Sequence, residues 1–132
     1  YRQTQSGLTV SFHYDGDISR VSRPIALFCY RMVQEGLTNI ARHAQAHTVT
    51  IGLHVLPSKL TLSVRDDGIG FSANRAERAR LNNHLGLVSM RERADVLNGT
   101  FAIDSHPGEG TTLTISLPLY LSEEEEHEHS LG

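Results

Sequence analysis

A single cysteine, Cys29, stands among 132 residues. One thiol cannot close an internal disulfide or build a cysteine-based zinc site, and it points to a reducing cytosol. Lysine is as scarce: Lys59 is alone beside eleven arginines, so a lysine-dependent mechanism has one candidate. No stretch approaches the roughly 18 consecutive apolar residues of a membrane span, and no secretory leader opens the sequence. A cytoplasmic domain without membrane contact of its own is the expectation. What remains is ordinary for a soluble globular chain, with 39% hydrophobic and 20% charged residues. The length suits one compact domain with a tail.

The formal net charge of −3 is unevenly placed. Residues 121–132, LSEEEEHEHSLG, carry five glutamates and neither Lys nor Arg. Setting them aside leaves ten acids against twelve bases, a mildly basic body. A domain over 1–119 and a disordered acidic tail over 120–132 are the expected organisation.

Residues 8–14 alternate apolar and polar and run into Asp15-Gly16, which reads as a strand followed by a turn. Pro24 suits a first helical turn, and Ile25, Cys29, Met32, Val33, Leu37, Ile40 and Ala44 keep helical spacing to about Ala46. Two alternating runs follow, Val49-Ile51-Leu53-Val55 and Leu60-Leu62-Val64, separated by Pro57-Ser58; a β-hairpin is the economical reading. Residues 72–85 are polar, carry little periodicity and read as a long loop, a feature that is often functional. Gly86 opens a second helix through Leu87, Val88, Met90, Arg91, Ala94 and Leu97, stopped by Asn98-Gly99. Thr100–Asp104 and Thr112–Leu117 then pair around Pro107-Gly-Glu-Gly110. The fold class expected is α+β, a mixed sheet of about five strands with helices on one face.

Lys59 lies in a hairpin turn, which excludes a P-loop; Gly68 and Gly70 lack the third glycine of a dinucleotide fingerprint. Protein-kinase and metalloprotease motifs are also missing. Three segments still carry chemistry. Glu35 and Asn39 are one helical turn apart at the edge of the apolar arc, either solvated or serving as oxygen ligands of a hydrated Mg²⁺. Asp66-Asp67-Gly68-Ile69-Gly70 ends a strand; it is either a plain turn or a carboxylate that accepts from an exocyclic amine, beside glycines free to adopt positive φ. His84-Leu-Gly86-Leu87 opens a helix whose N-terminal amides suit phosphate, or is an ordinary helix start.

In that order QEGLTNIARHA, DDGIG, HLGLVSMRERA and GEGTTLTISLPL closely resemble the ATP-binding catalytic domain of bacterial two-component sensor histidine kinases. The resemblance is to the branch that pairs with NarL/LuxR-type response regulators, and it covers about residues 1–119. It implies the Bergerat α/β sandwich, ATP and Mg²⁺ as cofactors, and transfer of the γ-phosphoryl to a histidine on an upstream dimerisation domain. By the same resemblance Asn39 matches the Mg²⁺ ligand and Glu35 its acidic catalytic partner. Arg42 and His43 fall near the phosphates and ribose, and Asp66 matches the adenine-binding aspartate, with Gly68 and Gly70 shaping its pocket. Gly86, with Leu87 beside it, matches the second glycine box, residues 71–85 the lid, and Thr111 or Thr112 a purine-supporting threonine. His84 departs from the family, which usually has glycine there. The phosphoacceptor histidine is missing from this sequence, since the only His-acid pair, His127-Glu128, lies in the tail. The resemblance thus implies part of a longer kinase, with that upstream domain as direct partner, a response regulator as indirect partner and no direct nucleic-acid binding. An anti-sigma-type serine kinase of the same fold and a non-catalytic ATP-binding module are the alternatives.

Overall fold

The computed structural model describes residues 2–3 (backbone path only), 7–41, 45–70 and 87–119. The elements are β1 (Arg2–Gln3), β2 (Thr9–Gly16), a 3-10 turn (Ile18–Arg20), α1 (Arg23–Asn39), β3 (Thr48–Val55), β4 (Lys59–Asp66), α2 (Leu87–Val96), β5 (Thr100–Ser105) and β6 (Thr111–Pro118). One sheet holds every strand, in the order β1-β2-β3-β4-β6-β5. β2 and β3 run parallel because α1 carries the chain back between them; the other pairs are antiparallel. The five long strands and the mixed sheet are as the sequence predicts. β1 is a short sixth, pairing Arg2 with Val10 and Gln3 with Thr9, and two residues leave no periodicity to read.

Register explains why the alternating runs make a layered fold. Ile51, Val64 and Leu113 are neighbours across three strands, as are Phe101, Ile115 and Leu62, while Leu60 lies beside Leu117. These residues share one face and build the core with Phe28, Met32 and Ile40 of the α1 region and Leu87, Met90 and Ala94 of α2. Thr50, Arg65, Thr112 and Asp104 line up on the opposite face, since successive side chains alternate. Both described helices therefore cover the apolar side and leave the polar side to water.

α1 starts where Ser22 Oγ accepts from Ile25 N–H at 3.5 Å, with Pro24 in the first turn. Its buried stripe includes Phe28 and Gly36, which the periodic set omits. The helix ends at Asn39, short of the expected Ala46. Residues 40–41 continue as a wide π turn, Ala44 lies outside the described residues, and Gln45 is left-handed at φ 51°. Pairing into the sheet competes with the helix here, because Thr9 N–H donates to the His47 carbonyl at 2.9 Å. A second correction concerns Asp15-Gly16: both residues stay paired, with His54 and Val55, so the strand runs through the expected turn.

α2 buries Leu87, Met90 and Ala94 while Val88 faces out. At its end Gly99 N–H donates to the Ala94 carbonyl and Asn98 N–H to the Asp95 carbonyl, both at 2.9 Å, the two bonds of a Schellman stop. Asn98 takes the left-handed conformation, φ 59°. Gly99 is needed for space, since a Cβ there would lie 2.5 Å from Leu117 Cδ2 and from the Ser116 carbonyl oxygen. Arg91 places its guanidinium 5.4 Å from the Phe101 ring centre, tying α2 to β5.

Candidate functional site

Asp66 is the one charged residue in the buried class among the described residues, at 4% exposure. It is the last residue of β4, on the apolar face, in register with Val49 on one side and Thr111 on the other. A carboxylate there needs hydrogen bonds to offset its lost hydration. Gly68 N–H donates to Oδ1 at 2.8 Å, and the Thr111 backbone also bonds the carboxyl. Burial pushes its pKa above the ordinary value, against those two bonds, and the neighbouring Asp67 charge pushes the same way.

The loop after Asp66 is clamped by the turn between β5 and β6. Gly108 N–H donates to the Ile69 carbonyl at 2.6 Å. Gly70 and Gly110 are left-handed, at φ 63° and 78°. A Cβ on Gly70 would strike the His106 carbonyl, and one on Gly110 the Asp66 carbonyl. Only glycine satisfies both the φ and the contact. Gly68 has no positive φ; its contribution is the donor to Asp66. Ser105 Oγ joins the network, donating to the Gly110 carbonyl at 3.2 Å and lying 2.7 Å from Thr111 Oγ1. Thr111 thus belongs to the Asp66 side, whereas Thr112 pairs with Arg65 on the other face of the sheet.

α1 brings the second group. A Cβ at Gly36 would lie 3.6 Å from Val64 Cγ1, so the helix crosses β4 one strand alternation before Asp66. That crossing puts Glu35 and Asn39, one turn apart and both half-buried, at the same end of the sheet as the carboxylate. Arg93 of α2 reaches across to Glu35, with Nη1 3.6 Å from Oε2. Leu87 is buried at the start of α2. Arg42, His43, His84, Gly86, the segment 71–85 and His127-Glu128 lie outside the described residues.

The chemistry available is a carboxylate acceptor in a desolvated corner and two oxygen-bearing side chains on adjacent helical turns. Glu35 and Asn39 have the oxygen-only donor set that suits Mg²⁺, a cation that keeps most of its waters or borrows oxygens from a phosphate. Among the described residues no three His, Cys, Asp or Glu side chains converge as a metal cage. Asp67, Arg93 and Gly110 belong to this region although sequence reasoning assigned them no role. In that reading Asp67 stands only inside the DDGIG string, Arg93 inside HLGLVSMRERA and Gly110 in the turn before the last strand.

A family model described as histidine kinase-, DNA gyrase B- and HSP90-like ATPase matches residues 25–121. The signal transduction histidine-protein kinase/phosphatase DegS of Brevibacillus brevis is 31% identical over 92% of this chain and 30% of its own length. The oxygen sensor histidine kinase NreB of Staphylococcus carnosus is 34% identical over 86% of this chain and 32% of its own. The sensor histidine kinase LiaS of Bacillus subtilis is 32% identical, over 90% and 32%. The chain thus spans about a third of these relatives. Among solved structures, a blue-light activated histidine kinase of Erythrobacter litoralis superposes with a TM-score of 0.63 at 23% identity, over 89% of this chain and 37% of that one. The histidine kinase AdeS of Acinetobacter baumannii gives 0.62 at 20% identity, over 89% and 57%. At these identities the structural likeness establishes the α+β fold.

Proposed function

Because the chain belongs to the histidine kinase-, DNA gyrase B- and HSP90-like ATPase family, we propose that it is the ATP-binding catalytic domain of a sensor histidine kinase. The domain occupies residues 1–119, and the glutamate-rich 120–132 lies outside it. The observation that carries the reading is Asp66, a buried carboxylate held open by backbone donors between two glycine turns. Such a group accepts from the exocyclic amine of adenine while the glycines let the base lie against backbone.

In this reading a histidine nitrogen of an upstream dimerisation domain attacks the γ-phosphorus of ATP; the new N–P bond forms as the bond to ADP breaks. Asp66 orients the base, Thr111 supports it through Ser105, and Glu35 stands by the attacking group. Asn39 would hold Mg²⁺, which when bound would supply neutralisation of phosphate charge. Gly86 and Leu87 would sit by the phosphates, with Arg42, His43 and the lid 71–85. The protein's contribution is mainly positioning and charge, as in other phosphoryl transfers. The phosphorylated histidine would then serve a NarL/LuxR-type response regulator on the cytoplasmic side; among the described residues no helix is long and apolar enough to cross a membrane. The sensor-kinase names of the relatives reported above support this over a serine kinase.

Calorimetric titration of the chain with Mg²⁺-ATP tests the proposal. Wild type should bind, and Asp66→Ala should lose at least about tenfold in affinity, the value of one hydrogen bond to a charged group. An Asp66→Ala chain that binds like wild type would sink it.

A further inference from the structure

Asp67 follows the buried aspartate but turns its side chain elsewhere. Its Oδ1 accepts from the N–H groups of His47 and Thr48, at 2.8 and 2.9 Å. Its own N–H donates to the Thr48 carbonyl at 3.3 Å. Three bonds therefore close the end of β4 onto the start of β3, beyond the last ladder pair of Val49 with Asp66. The grip lands on the segment that leaves α1, the helix of Glu35 and Asn39. On its other side the Asp67 Cα would lie 3.3 Å from a Cβ on Gly110, so the residue is fixed between β3 and the β5–β6 turn.

From this placement we infer that Asp67 is a specificity-positioning residue, fixing through His47 and Thr48 the direction in which Asp66 presents its carboxylate to a nucleobase. The inference rests on the nucleotide reading of Asp66. Its physical basis is the shared peptide: rotation at the 66–67 link swings the Asp66 side chain, and recognition by one carboxylate tolerates displacements of only about 0.5 Å. Gly68 N–H and the Gly108–Ile69 bond hold the loop downstream; Asp67 holds it at its base. The charge on Asp67 suits the task, since its carboxyl is kept below the ordinary range, chiefly by the Thr48 N–H bond, and stays ionised. A mere stitch between strands would affect stability alone; a positioning residue affects which base is chosen.

The test uses the chain itself with ATP and inosine triphosphate, which carries a carbonyl where adenine has its amine. Wild type should prefer ATP by about tenfold or more. Asp67→Ala should narrow that ratio several-fold and shift the Gly68 amide resonance in the nucleotide-free protein. Asp67→Asn, whose amide oxygen still accepts from backbone, should restore both. An Asp67→Ala chain that melts earlier but keeps the wild-type ratio and Gly68 resonance overturns the inference. Should Asp67→Ala not fold, Asp67→Ser, a shorter acceptor, is read by the same two measurements. A wild-type chain that binds neither nucleotide overturns the ATP proposal, and the Gly68 resonance still decides whether Asp67 positions Asp66.

Discussion

Adjacent aspartates in this chain have opposite electrostatic lives. Asp66 is buried and its pKa is raised; Asp67 is exposed and its pKa is lowered by backbone donors. Linkage gives their effects opposite signs. Between the ordinary carboxyl value near about 3.9 and the raised native value, the folded state holds the extra proton on Asp66, so that residue makes stability fall as pH rises. Asp67 contributes stability that is present above about pH 3.9 and is lost as pH falls through its depressed folded value. Asp66→Asn should therefore remove the first slope and leave the second. Urea midpoints measured from about pH 3 to 7 would show the variant equal to or more stable than wild type at neutral pH while nucleotide affinity is lost. A variant clearly less stable at neutral pH would mean that the carboxylate is structural. The DDGIG string made one aspartate legible as a site residue. Which carboxyl is buried and which caps β3 depends on partners 19–45 residues away, and spacing does not carry that.

At the scale of elements, two glycines look alike in sequence and differ in kind. Gly36 sits mid-helix with its nearest neighbour, Val64 Cγ1, at an ordinary contact distance of 3.6 Å. Gly36→Ala should be neutral to about 1 kcal/mol stabilising, because alanine is the better helix former and fits. Gly99→Ala should destabilise by about 1–3 kcal/mol, since the added methyl meets the Ser116 backbone oxygen at 2.5 Å. Paired thermal melts of the two variants check both; a destabilised Gly36→Ala would mean that α1 and β4 lie closer than observed. The helix stop at Asn98-Gly99 was readable from residue type, yet the residues share the work differently from the usual expectation. Asn98 adopts the left-handed turn and Gly99 provides clearance. That the regular turns of α1 stop at Asn39 and that Gln45 is left-handed was not readable, because apolar spacing continues past Asn39.

At the scale of the molecule, one core joins the two described helices to the central strands, so a deletion at its centre should be felt throughout the described residues. Leu60 is fully buried and pairs with Val55 and Leu117. Leu60→Ala should cost about 2–5 kcal/mol, with near- and far-ultraviolet circular dichroism losing signal in a single shared transition. A loss under about 1 kcal/mol would contradict a continuous core. The amino-acid sequence by itself determined the two apolar strand runs, the two helices, the site strings and their order, and through these the family. It could do so because period, capping and turn chemistry are local properties of the chain. Tertiary structure alone decided that β2 pairs parallel with β3 and that Thr111, not Thr112, shares a face with Asp66. It also decided that Arg93 reaches Glu35 and that Asp67 grips the start of β3. Each of these is a meeting of residues distant in sequence, set by strand order and sheet register, which local spacing does not encode.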